Sequence, residues 1–425
     1  SQNIILPDNI QEELEKKLLE TEQKLGTQSA LRYVTATTDI EKRLIIGWLK
    51  EGKITPSEIA DIYPDLYAYM RPTFGTQDND KIWCLSYIDE YKKAKLANVY
   101  TDAVKNVILS KNGSEVAFNN WYNSFNTVRN ILGNRKDIEV YFWIDGLGME
   151  WVPFISEIVK ARNSEGYYIN QVLIGRAQLP TATEINKVDL QKLCGGMLPK
   201  NGDLDSDSHK MRPYPEYIIS DMKKIREAIN RILDENPGKK IAIISDHGIT
   251  YMSQLVPGIN LSGITGDHSG RFATWNSGMA VSDEKYKILD DKRTLCALRH
   301  ESLTSKVNAG CGCHGGCTPE EVLVPIFIIS DFHGNTGHQI SQMTLELSAS
   351  NPVVRFKITG ISNAETPYVL YNGKRYDMHQ EADNIWCSNP LVLDTNMDRM
   401  KLVVEECEHD FKVKLKLGIV EEDLF

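Results

Sequence analysis

KKIAIISDHG (239–248) runs through Ile241, Ala242, Ile243 and Ile244 without a polar break, then passes Ser245 into Asp246, His247 and Gly248. An unbroken apolar run of this length reads as a strand buried on both faces, as in a sheet layered between helices. Three further stretches have the same character: IEVYFWID (138–145), YYINQVLIG (167–175) and EVLVPIFIIS (321–330). Between them MEWVPFISEIVKAR (149–162) and EYIISDMKKIREAINRILDE (216–235) carry apolar residues at helical spacing. Strands alternating with helices predict βαβ units and a mostly parallel sheet with helices on both faces. Functional side chains are then expected just beyond the carboxyl ends of the strands.

Working outward from this α/β core, assigned to 136–338, the pattern changes on both sides. Residues 1–135 read as a helical domain. QEELEKKLLETEQKL (11–25), DIEKRLIIGWLKEG (39–52) and TPSEIADIYPDLYAYM (55–70) lead it, and 81–110 and 115–132 complete it. Residues 339–425 alternate with period two in short segments about ten residues apart. Asn372-Gly373 forms a hairpin signal among them, which predicts a small β-sandwich. The fold class is therefore α/β, with a mixed sheet, a helical domain before it and a β-sandwich after it.

Composition narrows the function classes. The 425 residues carry 48 Lys and Arg against 58 Asp and Glu, a net charge of -10, so no general basic surface exists to hold duplex nucleic acid. No apolar run approaches the ~20 residues of a membrane helix. Eight cysteines, five of them scattered singly, are too few for a disulfide scaffold and fit a reducing, cytoplasmic setting. The chain begins at Ser1 rather than Met, which reads as an excised piece of a longer protein.

Three strand ends meet residues that ligate metals. Asp145 closes the first strand before Gly146-Leu147-Gly148, and is either a helix cap or a ligand. Asp246 and His247, two adjacent ligand types at the tip of a buried strand, point to a metal. LPTATEINK (179–187) offers Thr181 and Thr183 as caps. A hydroxyl at a helix N-terminus also meets free N–H groups that would stabilise an alkoxide and a phosphate. In CGCHGGCTPEEVLVP (311–325), Cys311, Cys313 and Cys317 with His314 can be a cramped zinc knuckle. Alternatively His314 alone reaches the site, the glycines allowing close approach; the spacing favours this. In DLDSDSHK (203–210), Asp205 and His209 are four apart and can chelate, although such loops are usually solvated.

Taken in order, WIDGLGMEW, LPTAT, ISDHG, the GRFA of HSGRFA (268–273) and HGGCTPEEVLVP resemble the PglZ family. That family is a branch of the alkaline phosphatase superfamily found in BREX-type bacterial phage-defence systems. The resemblance covers about 138–330. It implies an alkaline-phosphatase-like mixed α/β fold and two divalent metal ions, usually zinc. Asp145, Asp246 and His247 would hold one ion together with a Thr nucleophile. The Pro-Thr-x-Thr pattern of related phosphodiesterases points to Thr183 for that role, with Thr181 as its structural partner. His314 would ligate the second ion, and Asp205 and His209 map onto its remaining ligands. His268 is either a phosphate contact or a surface histidine, and Asn186 either aims its amide at the phosphate oxygens or caps and packs.

The expected activity is a metal-dependent phosphoesterase, a phosphodiesterase before a monoesterase, in antiphage defence. Its partners would be other defence-system proteins and a phosphoester, either a nucleotide or nucleic acid. Two alternatives compete with it. One is a non-catalytic scaffold that keeps a metal site for stability. The other is a nuclease that needs a basic partner to deliver DNA.

Overall fold

The computed structural model describes residues 6–196, 198–330, 339–348, 350–359, 366–372, 374–382, 384–393, 400–404 and 407–416. The chain divides into two compact units, Ser1–Phe332 and His333–Phe425. The junction expected at 338 lies outside the described residues.

The first unit opens with helices α1 (Asp8–Leu25), α2 (Thr27–Leu31), α3 (Asp39–Lys50), α4 (Pro64–Met70), α5 (Trp83–Ala97), α6 (Asp102–Asn112), α7 (Glu115–Tyr122) and α8 (Val128–Leu132). The stretch 55–70, expected as one helix, divides into a 3-10 turn over Pro56–Ile59 and α4. Pro64 lacks the N–H that would continue the first turn and instead starts the second.

Strands β1 (Val140–Asp145), β2 (Tyr168–Arg176), β3 (Lys200–Asp203) and β4 (Ile241–Ile244) follow. After them come four short strands, β5 (Ile264–Asp267), β6 (Phe272–Trp275), β7 (Tyr286–Ile288) and β8 (Thr294–Ala297), and then β9 (Leu323–Ser330). The central sheet has the order β2-β9-β4-β1-β3. β1 pairs parallel with β3 and β4, whereas β9 is antiparallel to both β2 and β4. β9 thus runs against the other four. β5 to β8 form a separate antiparallel sheet.

Helices α9 (Val152–Lys160), α10 (Thr183–Leu193), α11 (Asp205–Ser208), α12 (Glu216–Asp234) and α13 (Pro319–Val322) complete the unit. Strand alternation divides the core between two faces. Phe142, Ile144, Ile243 and Phe327 pack with Phe154 and Ile158 of α9 and with Ile225 and Ile229 of α12. Trp143, Ile244, Ile326 and Ile328 pack on the opposite side with Val128 and Leu132 of α8 and Leu190 of α10. Helices therefore cover both faces.

The N-terminal helices share the first of these cores through Leu66, Tyr69, Tyr87 and Tyr91. They also hold the loops at the strand ends from behind. Tyr69 donates to Glu150 at 2.6 Å and Lys95 donates to the same carboxylate at 3.0 Å, beyond β1. Tyr91 donates to the Ile249 carbonyl at 3.0 Å, beyond β4. Asn112 bonds the Leu298 and Cys317 carbonyls at 2.6 and 2.8 Å. Each bond satisfies a backbone or charged group that burial would otherwise leave unpaired.

The second unit, expected as a β-sandwich, holds a seven-stranded antiparallel sheet. Its strands are β10 (Gln339–Gln342), β12 (Arg355–Thr359), β13 (Tyr368–Tyr371), β14 (Lys374–Ala382), β15 (Ile385–Ser388), β16 (Met400–Val404) and β17 (Cys407–Phe411), in the order β10-β12-β15-β14-β13-β16-β17. Among the described residues, β11 (Glu346–Ser348) and β18 (Lys414–Lys416) pair apart from it, and Leu347 enters the same core as Phe356, Val369 and Leu402. No further sheet is seen among the described residues of this unit. Tyr371 pairs with Lys374 across the expected hairpin turn, while Gly373 itself and residues 417–420 lie outside the described residues. No helix among the described residues is long and apolar enough to cross a membrane.

Candidate metal centre

Three central strands end in the same place because β1 and β4 are parallel neighbours and β3 lies beside β1. Asp145 is the last residue of β1, and Asp246 and His247 follow β4; all three are buried. The turn beyond β4 requires Gly248: a Cβ there would lie 2.0 Å from the Glu320 carbonyl oxygen. At Gly146, φ is +76°, and a Cβ would press on Ile249 at 2.7 Å. These two glycines let the loops after β1 and β4 close on each other.

Thr183 is the first residue of α10, and its N-cap is Ala182, which has no oxygen to bond the first N–H groups. Neither threonine of the Pro-Thr-Ala-Thr stretch is the cap. Thr183 Oγ1 donates to Asp145 Oδ1 at 3.3 Å and lies 3.1 Å from His247 Nε2. Thr181 is fully buried, donates to the Gly316 carbonyl at 3.0 Å and accepts the Gly315 N–H at 2.9 Å. It binds α10 to the His314 loop.

A second donor group adjoins the first. Asp205 opens α11 and His209 follows it as the C-cap, one turn on. Asp205 Oδ1 lies 2.9 Å from His314 Nε2 and 3.1 Å from His209 Nε2. The ligand atoms of Asp145, Asp246 and His247 lie within 4.8 Å of one another, as do those of Asp205, His247 and His314. His247 belongs to both sets and joins them. His268, on the loop after β5 with φ +45°, stands with its ring 4.4 Å from that of His314 and makes a third set with His209 and His314.

Hydrogen bonds orient the rings. His314 Nδ1 meets the Thr181 carbonyl at 2.7 Å and His247 Nδ1 the Gly248 carbonyl at 3.1 Å. A carbonyl only accepts, so each calls for a proton on Nδ1, and Nε2 of each ring is turned toward the carboxylates. The His314 loop is anchored by an ion pair with no exposed surface. Arg271 donates to Glu321 at 3.0 and 2.7 Å, and Glu321 also accepts from the Gly316 N–H and the Thr318 hydroxyl at 3.0 and 2.6 Å.

Electrostatics follow from crowding. Burial pushes Asp145 up to about 6, helped by Asp246 beside it. Burial also raises Asp246 and holds His247 below its ordinary value, which keeps that imidazole neutral. Asp205 goes the other way. Burial opposes its ionisation, but the hydrogen bonds from His209 and His314 outweigh it and hold the carboxyl well below the usual range. One buried oxygen, Asp246 Oδ2, has no hydrogen-bond partner. An orphaned carboxylate oxygen inside a cluster of acids and imidazoles is the setting that a divalent cation relieves. Nitrogen and carboxylate donors without thiolate suit zinc or manganese. These clusters could therefore hold a metal ion.

Other sequence candidates fall elsewhere. Asn186 is buried and its amide is committed to the loop before α10: it accepts the Gln178 N–H at 2.7 Å and donates to the Gln178 and Ala182 carbonyls at 3.1 Å. That is the packing role, and it stiffens the segment carrying Thr183. The three cysteines of the possible knuckle are not gathered. Cys311 and Cys313 turn to the His209 and Thr250 carbonyls and Cys317 to that of Cys296, and no metal-type group of three among the described residues contains a cysteine.

Sequence reasoning passed over Lys200. Its ammonium lies 2.6 Å from Asp145 Oδ2 and 2.7 Å from Asp203. Its strand, KNGD, has no apolar period to announce it. Compared with family models and with curated proteins, the sequence matches none.

Proposed function

We propose that this chain is a metal-dependent phosphodiesterase with Thr183 as nucleophile and two ion positions, Asp145/Asp246/His247 and Asp205/His209/His314. The observation that carries the reading is the Thr183 hydroxyl. It stands at an uncapped helix N-terminus, 3.3 Å from a buried carboxylate and 3.1 Å from a buried imidazole. A threonine placed for packing alone has no need of that company.

Divalent ions held there, zinc in the simplest case, would neutralise phosphate oxygens and make the hydroxyl more acidic. The chain's own groups supply the rest. Asp145 Oδ1 accepts the Thr183 proton as Oγ1 attacks phosphorus in line. The P–O bond to the leaving alcohol breaks as the Thr183–phosphorus bond forms, and the departing oxygen takes a proton from solvent. The unpaired N–H groups at the start of α10 favour the negative charge that gathers on the phosphoryl oxygens. Water then attacks the phosphothreonine, releasing phosphate monoester and returning the proton to Oγ1. Thr181 and Asn186 keep Thr183 in place rather than touching substrate.

The ordered motifs shared with PglZ proteins support the alkaline-phosphatase-like arrangement and a role in antiphage defence beside other defence proteins, in the cytoplasm. The test is hydrolysis of bis(4-nitrophenyl) phosphate by wild type and Thr183→Ala, each stripped and reloaded with zinc. Turnover that needs metal and falls by about 10³ or more in the variant is the expected result. No metal-dependent turnover in the wild type would turn attention to the scaffold reading.

A further inference from the structure

Two lysines stand beside Thr183 without a part in the chemistry above. Lys187 is four residues on in α10, on the same helical face as Thr183. Lys200 begins β3, opposite Trp143 of β1. Both ammonium groups approach the ring of Trp143, at 5.2 and 5.1 Å from its centre. Trp143 is almost completely buried. Lys200 spends two of its three N–H donors on Asp145 and Asp203 and keeps one. Lys187 has no carboxylate partner among the described residues, although the chain as a whole is acidic.

We infer that Lys187 and Lys200 form an anion subsite next to the nucleophile, which takes a second phosphoryl group of the substrate. The favoured substrate is then a phosphodiester with another phosphate adjacent to the scissile one, as at the phosphorylated end of a short single strand. The inference rests on the phosphodiesterase reading. The shared aromatic ring restrains both ammonium groups, and the helix N-terminus one turn away adds its own attraction for anions. Simple covering of Trp143 by the lysine stems would require the methylenes and not the charge.

Binding separates these roles without turnover. Zinc-loaded Thr183→Ala protein is titrated calorimetrically with a thymidine dinucleotide carrying a 5′-phosphate and with the same dinucleotide lacking it. The 5′-phosphate is expected to tighten binding about tenfold, the scale of a charge-assisted contact. Adding Lys187→Met, which keeps an apolar stem over Trp143, should abolish that preference, and Lys187→Arg should retain most of it. Equal affinity for the two dinucleotides, no binding of either, or a preference that survives Lys187→Met would overturn the inference. Turnover of bis(4-nitrophenyl) phosphate, which has no second phosphate, judges the underlying activity separately.

Discussion

His247 and His314 lie ring over ring, with centroids 3.8 Å apart and planes 12° from parallel, although one follows β4 and the other precedes α13. Each gives its Nδ1 proton to a carbonyl, and Nε2 of each faces a carboxylate. Burial disfavours charge on His247 and holds it below its ordinary value. Rings anchored through Nδ1, with Nε2 turned to the carboxylates, are placed to bind a cation. Zinc added to stripped protein should therefore raise the unfolding temperature, by the equivalent of about 2.7 kcal/mol at a hundred times the dissociation constant. Thermal melts with and without zinc check this. Identical melts would argue that the rings are packed for their own sake.

Asp246 tests the same centre with the opposite sign. Its Oδ1 accepts the Gly146 N–H at 3.3 Å but its Oδ2 is buried without a hydrogen-bond partner, so the metal-free protein carries a half-satisfied carboxylate. Asp246→Asn removes the charge at nearly constant volume. The variant should be more stable than wild type when stripped, by about 1–3 kcal/mol, and should lose the gain that zinc confers. Denaturant melts in chelator and in zinc give both numbers. A variant destabilised in chelator would mean that Asp246 is satisfied within the protein.

Arg271 and Glu321 form the anchor beneath His314. Both are fully buried, and Gly316 packs so tightly that a Cβ there would lie 2.4 Å from an Arg271 nitrogen. Removing one member leaves the other charged and unpaired, so Arg271→Met should destabilise by about 3–5 kcal/mol. Arg271→Lys should fail similarly, since one ammonium cannot reproduce two parallel N–H bonds. If urea melts show either change to be neutral, the loop is held by something other than this pair.

The sheet and the acids at its strand tips were legible because a buried strand must be apolar along its length, so the residue that breaks the run stands out. Ile241–Ile244 followed by Asp246 and His247 is such a case. β3 was not legible. Lys200–Asp203 is a four-residue edge strand that β1 recruits through backbone pairing alone, and Lys200 was lost with it. β5 to β8 were hidden for the same reason, being three or four residues each. The Asp205–His209 pairing showed in the spacing, yet only the turn of α11 and the position of His314 bring those atoms together. The shared core of the helical region was invisible because periodicity says which face is buried and not against what.

Acid should weaken one contact in that shared core in a defined direction. Burial alone would raise the Glu320 carboxyl; His300 at 2.8 Å and the Tyr87 hydroxyl at 2.7 Å outweigh it and bring the carboxyl down to about 2. Its value in the folded protein lies below the ordinary 4.5. The stabilisation is then complete above about pH 4.5 and is lost as pH falls toward 2, because the unfolded chain binds the proton first. A shift of this size is worth about 3 kcal/mol at neutral pH. Glu320→Gln should accordingly be less stable than wild type by about that amount at pH 7, with the gap narrowing steadily below pH 4.5. Urea melts of both proteins at pH 7 and pH 3 decide it: a gap of equal size at both would mean that Glu320 contributes by packing and hydrogen bonding, with its charge indifferent to the fold.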